Sequence, residues 1–343
     1  MKVGIIGCGK IAQMRHIPEY ADNPSSEIAG YFDLNYERAK ELADRYGGRA
    51  YATVDELLAD EAIEAVSVCV ANNAHAEMTI KALEAGKHVL CEKPMAVTLD
   101  DCIRMVSKAE EKGKFLMIGQ NQRFARAHVR AKELIEQGAI GKVITFKTTF
   151  GHGGPETWSV DSGPNNWFFD KKRAAMGAMA DLGVHKTDLI QYLLNDRITE
   201  TTAKVTTLDK KDSNGELIGV DDNAICIYRM ESGIIGTMTA SWTYYGEEDN
   251  STYIYGTDGI MKIYADPNYS IIITRKNGEK EYYDIDKIQT NDNQTKSGII
   301  DTFVDAVVNG NEPPASGASV LNAMKAVFAN LESSEKNMTI KIK

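Results

Sequence analysis

No C-x-x-C pair occurs in the chain. Its five cysteines (Cys8, Cys69, Cys91, Cys102 and Cys226) are odd in number, and most fall in hydrophobic stretches. Thiols so placed behave as small core residues, so neither a disulfide framework nor a zinc or other metal site is expected, and a reducing cytoplasm is. Basic clusters are also missing. Lys and Arg number 39 against 49 Asp and Glu, a formal net charge of -10, which excludes nucleic acid as an expected partner because phosphate backbones are bound by basic stripes. Long apolar runs are absent as well. The stretch from Ala62 to Ala71 is broken by Glu64 and Ser67, far short of a membrane span. Met1 and Lys2 lead straight into Val3-Gly4-Ile5-Ile6 without an export leader, so a soluble cytoplasmic protein is expected.

The 343 residues, 43% hydrophobic and 26% charged, have the composition of a globular protein and the length for two cores. The first 120 or so alternate strand and helix. Apolar, β-rich runs stand at Val3 to Ile6, Glu27 to Phe32, Ala65 to Val70, His88 to Cys91 and Phe115 to Ile118. Helical patterns lie between them, as at Tyr36 to Tyr46 and at Ala76 to Ala85, the latter stopped by Gly86. Such βαβ repetition predicts a Rossmann-type, doubly wound parallel sheet with ligands at the carboxyl ends of its strands. The first strand runs into Gly7-Cys8-Gly9-Lys10-Ile11-Ala12, a G-x-G-x-x-A turn opening a helix. Gly7 allows the tight turn, Gly9 leaves room for a pyrophosphate and Ala12 lets helix and strand pack closely. Asp33 ends the second strand about 20 residues on, where a carboxylate accepts from ribose hydroxyls and repels a 2′-phosphate. This favours NAD over NADP, with Arg38 nearby able to stack on adenine or tolerate a phosphate.

From Ala139 the pattern turns to longer alternating strands: Lys142 to Phe150, Thr201 to Thr207, Asn223 to Met230, Ile234 to Trp242 and Ser251 to Tyr255. Glycine turns such as Glu231-Ser232-Gly233 and Thr257-Asp258-Gly259 join several of them. The expected architecture is a Rossmann domain over residues 1–121 and, over 122–343, an α+β domain with a large, mostly antiparallel open sheet. A glycine-rich aromatic segment, Gly151 to Lys172, carries His152, Trp158, Trp167, Phe168 and Phe169. Aromatic faces there suit the apolar faces of sugar rings, and a buried oligomer contact would use the same residues.

Three separated motifs, in order, carry a resemblance. Glu92-Lys93-Pro94 follows the stretch Ala85 to Val89, which reads A-G-K-H-V; Gln122-Arg123-Phe124 comes next; Gly177 to Asp188 then approximates G-G-x-x-x-D-x-G-x-H-x-x-D. In these the chain resembles the Gfo/Idh/MocA oxidoreductases, the group of glucose-fructose oxidoreductase and inositol dehydrogenase. One departure is Ala71, where many relatives have proline before the asparagine. Oxidising an alcohol requires removal of its hydroxyl proton as hydride leaves the carbon, and Lys93, following a strand end, is placed for that. Asp181 and His185, four residues apart in a helical pattern, would share a helix face, where an imidazole oriented by a carboxylate can exchange a proton.

The resemblance implies that Lys93, Asp181 and His185 form the catalytic constellation, with either Lys93 or His185 as the immediate base. It implies Gly7, Gly9, Lys10, Ile11, Asp33 and Arg38 at the dinucleotide, joined by Asn72, His75 and Glu92. Lys93, Arg123, Trp167 and His185 would meet the substrate. It further implies NAD(H)-dependent oxidation and reduction at a secondary alcohol or ketone of a cyclic polyol, sugar or glycoside, in a homo-dimer or homo-tetramer formed through the open sheet. Two rivals use the same residues: a redox-neutral NAD-dependent glycosidase that oxidises, eliminates and re-reduces, and a non-catalytic sugar-sensing regulator. Net turnover of NAD separates the first from a dehydrogenase, and a proton-transfer set argues against the second.

Overall fold

The computed structural model describes residues 1–159, 163–164, 166–288 and 296–343. The chain divides into two compact units. One comprises Met1–Asn121 with the described residues of Asp292–Leu321, and the other Gln122–Asn291, where described, with Asn322–Lys343.

The first unit is built on a six-stranded parallel sheet. Its strands are β1 (Lys2–Ile6), β2 (Glu27–Phe32), β3 (Arg49–Ala50), β4 (Ala65–Val68), β5 (His88–Cys91) and β6 (Leu116–Ile118), in the order β3-β2-β1-β4-β5-β6. Every residue of β4 is buried, as expected where helices cover both faces of a parallel sheet. The covering helices have local start and stop signals. Asn35 caps Tyr36–Tyr46 through Arg38 N–H, and the inner stripe of that helix is Ala39, Leu42 and Ala43. Thr98 caps Leu99–Lys112 through Asp101 N–H, and the helix ends at left-handed Gly113. The two-residue β3 has no periodic signal of its own; it forms because Gly30 and Tyr31 of β2 offer it an edge. Late in the chain, Ile299–Asn309 also belongs to this unit, and Asn23 Nδ2 donates to Asp301 in it at 2.7 Å.

The second unit carries a nine-stranded sheet. Its strands are β7 (Val143–Gly151), β8 (Ile198–Thr206), β9 (Asn223–Met230), β10 (Ile235–Ser241), β11 (Thr252–Gly256), β12 (Gly259–Ile263), β13 (Ile271–Arg275), β14 (Lys280–Tyr283) and β15 (Ile340–Lys341). The order is β14-β13-β12-β11-β7-β10-β9-β8-β15, antiparallel except where β10 runs parallel to β7. Alternation assigns the faces. Ala224, Cys226, Tyr228 and Met230 of β9 point inward, while Ile225 and Ile227 point out and are 58% and 49% exposed. On the inner side, Tyr228 Oη meets Thr187 Oγ1 at 2.9 Å and accepts from Asn330 Nδ2 at 2.7 Å, tying the helices Val184–Leu194 and Gly317–Lys336 to the sheet. Strands β12 to β15 extend the sheet beyond the five expected from sequence.

Candidate active-site residues

In the first unit the strands are parallel, so the segments after β1, β2, β4 and β5 emerge on one edge. Gly7 has φ +91, its N–H donates to Phe32 O at 2.8 Å, and a side chain on it would meet the Cys69 carbonyl at 2.7 Å. Only glycine satisfies both demands. Gly9 is different: a Cβ there would have no protein atom within 4 Å, so the turn leaves open space where a pyrophosphate would approach. Lys10 and Ile11, both partly exposed, lead into the helix. Asp33 at the end of β2 accepts Cys8 N–H through Oδ2 at 2.7 Å and Asn35 N–H through Oδ1 at 2.8 Å, with Arg38 3.6 Å from Oδ1. The glycine turn and the Asp33 carboxylate are thus one hydrogen-bonded structure, and these residues fit a dinucleotide.

Beyond β4 lie Asn72, 6% exposed, and His75, 1% exposed. The His75 ring is pinned between Pro94 O, 2.6 Å from Nδ1, and Val70 O, 3.1 Å from Nε2, and burial pushes its pKa below the ordinary histidine value. Glu92, 4% exposed, also turns inward: Oε1 accepts from His16 Nε2 at 2.9 Å, with Arg15 at 3.7 Å, and Oε2 accepts Lys93 N–H at 3.1 Å. Burial opposes its charge, but the His16 hydrogen bond and the His16, Arg15 and Lys93 charges prevail and hold the carboxyl at about 2. His75 and Glu92, both expected at the dinucleotide, are buried and hydrogen-bonded to the protein's own groups. Lys93 is less buried than Glu92 and stands at the rim itself.

In the second unit Asp181 does not sit in a plain α-helix. Met179–Gly183 is a π-helical turn and α-helix resumes at Val184–Leu194, so a same-face argument from 3.6-residue spacing does not apply unmodified to Asp181 and His185. Both are buried, at 8% and 6% exposure. Asp181 Oδ2 accepts from Trp242 Nε1 at 3.0 Å and lies 3.7 Å from His152 Nε2. His152 Nδ1 accepts Gly154 N–H at 2.9 Å, which leaves the proton on Nε2, the nitrogen that faces Asp181. The Phe150 ring lies 5.9 Å from the ring of His152 and 6.1 Å from that of His185. Sequence reading had His152 only as one aromatic of a loop. Its link to Asp181 depends on where β7 ends, which no local spacing announces.

Arg123, expected at the substrate, is 8% exposed and makes a two-pronged pair with Asp188, Nε to Oδ2 at 2.7 Å and Nη2 to Oδ1 at 2.5 Å. Much of the guanidinium's directional capacity goes to that carboxylate. Trp167 stacks on Phe168 at 3.9 Å and carries Arg173 over its ring at 6.0 Å, in an aromatic cluster with Trp158 and Trp242. Within this segment residues 160–162 and 165 lie outside the described residues. No helix among the described residues is long and apolar enough to cross a membrane.

Comparison with known proteins decides the family. Residues 1–120 match the profile described as the oxidoreductase family with an NAD-binding Rossmann fold, and residues 128–262 match the GFO/IDH/MocA C-terminal domain. A 1,5-anhydro-D-fructose reductase from Ensifer adhaerens is 31% identical over 261 residues, 75% of this chain and 74% of that protein. The chain belongs to the Gfo/Idh/MocA oxidoreductase family. It is thus an NAD-binding oxidoreductase, similar over its whole length to the myo-inositol 2-dehydrogenase of Thermotoga maritima, at 27% identity over 349 residues, 100% of this chain and 98% of that protein. Among solved structures, levoglucosan dehydrogenase in complex with NADH and levoglucosan superposes with a TM-score of 0.87 at 25% identity, covering 100% of this chain and 99% of that one.

Proposed function

We propose that this family member is an NAD(H)-dependent dehydrogenase that moves a hydride between the nicotinamide and a secondary alcohol or ketone of a cyclic polyol, sugar or glycoside. The observation that carries the reading is the sharing of one sheet edge by the glycine turn after β1 and Lys93 after β5, with only β4 between the two strands. The relatives' named activities on inositol, levoglucosan and anhydrofructose support the substrate class.

The bound nicotinamide supplies the hydride chemistry, and the chain supplies the rest. Lys93, Asp181 and His185 are the proposed proton-transfer set, with Lys93 or His185 taking the hydroxyl proton. Trp167 and its stacked neighbours offer an apolar face to a sugar ring. Asp33, fixed by two backbone N–H groups, disfavours a 2′-phosphate, so NAD is the proposed cofactor. Ile225, Ile227 and Ile235 on the outer sheet face favour a homo-dimer or homo-tetramer built there, and five buried free thiols suit a reducing cytoplasm.

Absorbance at 340 nm, with protein and NAD offered inositols, free sugars and glycosides, tests the activity. A sustained rise with one class is expected; no rise while glycosides are cleaved moves the assignment to the redox-neutral glycosidase. Lys93→Ala is expected to lower turnover at least roughly hundredfold while NADH still binds. Near-normal turnover removes Lys93 from the proton-transfer set.

A further inference from the structure

The helix that follows the glycine turn is π-helical over Ala12–His16, and three of those five residues, Ala12, Arg15 and His16, are buried. Such turns are frequent at functional sites because they re-aim side chains within a helix. Here the two large side chains converge on Glu92, 76 residues on from His16. We propose that His16, with Arg15, is a positioning residue for Lys93, acting through Glu92. The proposal rests on Lys93 being a proton-transfer residue.

The hydrogen bonds form one continuous buried chain. Ionised Glu92 can only accept, so His16 Nε2 carries the proton it donates at 2.9 Å. His16 Nδ1 meets Ser67 Oγ at 3.1 Å, and Ser67 Oγ meets Tyr20 Oη at 2.9 Å. Tyr20, His16 and Ser67 are each 0% exposed, so the chain is sealed from water. At its far end the other carboxylate oxygen takes the N–H of Lys93 itself. Gly119 closes the remaining side: a Cβ there would stand 2.9 Å from Glu92 Oε2. The carboxylate is therefore held on both oxygens and walled by backbone, with the backbone of Lys93 as one of the groups it fixes. A buried ion cluster is a poor way to gain stability alone, since desolvation offsets most of the attraction. Fixing a reacting group is a role that repays it, because small misplacements near the chemistry are costly in rate.

The test compares His16→Ala, His16→Gln and Glu92→Gln with Lys93→Ala in the full-length protein, reading kcat, KM and NADH affinity. His16→Ala is expected to lower kcat roughly ten- to hundredfold while KM and the NADH Kd move by about threefold or less. His16→Gln, whose amide can still donate to Glu92, is expected to recover most of that loss. Should His16→Ala not fold, Glu92→Gln takes its place, with the same kcat-selective loss expected. If kcat stays within about twofold of wild type in these variants while Lys93→Ala is inactive, the inference is overturned and the role of Lys93 stands. A parallel loss of kcat and NADH affinity that glutamine does not rescue overturns it too, as a merely structural effect. Normal turnover in Lys93→Ala overturns the reading on which it rests.

Discussion

Glu92 in the first unit and Lys186 in the second are both withdrawn from water, and they are treated in opposite ways. Glu92 is 4% exposed and meets an imidazole N–H, an arginine and a backbone N–H, so it keeps its charge despite burial. Lys186 is 0% exposed, and its ammonium has Asn250 O at 2.9 Å and the face of Phe150 at 5.9 Å. Burial pushes Lys186 down to about 7, with the charges of Asp249 and Glu248 only partly opposing. Around it, His128 Nε2, Gln122 Oε1 and Asn250 Nδ2 have no hydrogen-bond partner among the described residues. His128 is itself driven to about 3, first by burial and then by Lys186. Equal burial therefore does not decide charge. The number and sign of the groups that answer it do.

Removing the answered charge is expected to have the largest effect. Glu92→Ala leaves Arg15 and His16 buried without their carboxylate, and breaking such a buried set costs about 3–5 kcal/mol. Denaturant unfolding at pH 7 measures it, and a loss below about 1 kcal/mol would mean that Glu92 is not the ion that holds them. The sign with pH follows from the depressed carboxyl. Its stabilisation is complete above the unfolded value of 4.5 and is lost as the pH falls toward about 2.

Lys186→Met addresses the other cluster. Between about 7, where the folded amine titrates, and 10.5, where the unfolded one does, only the unfolded chain binds the proton. Wild-type stability therefore gains about 1.4 kcal/mol per pH unit over the methionine variant as pH rises through that window. Parallel stability curves for the two proteins would show that Lys186 stays charged in the fold.

The same contrast explains which parts of the molecule were legible in the sequence. Gly7 and Asp33 could be read because a parallel sheet forces strand ends to one edge, so spacing along the chain translates into position, while the Glu-Lys-Pro segment was legible through the family resemblance. Periodicity gave β2, β5 and β9 at their observed bounds and the helix Tyr36–Tyr46 residue for residue. It gave no hint of β3, which depends on an edge offered by a neighbour, and it left β12 to β15 unread. The pairings that set charge were equally hidden. His16 reaches Glu92 across 76 residues through a π turn that no spacing rule signals, and Trp242 reaches Asp181 across 61. Arg123 was legible as a motif residue, but its engagement by Asp188, 65 residues away, was not.

The smallest expected effect comes from converting the second cluster into the first kind. Asn250 already contributes its carbonyl to Lys186, while its side-chain Oδ1 accepts from Gln122 Nε2 at 3.2 Å. Asn250→Asp keeps that acceptor, removes the unpartnered Nδ2 and supplies the carboxylate that Lys186 lacks. Its amine should then hold its proton through neutral pH, so the slope of about 1.4 kcal/mol per pH unit between pH 7 and 10.5 should largely vanish. At pH 7 itself the change in stability is expected to stay within about 1 kcal/mol, since the new attraction is set against the desolvation of a second ion. Urea unfolding at several pH values reads both quantities. An undiminished slope in the aspartate variant would mean that depth of burial alone governs Lys186, and the contrast with Glu92 would then be one of location, not of partners.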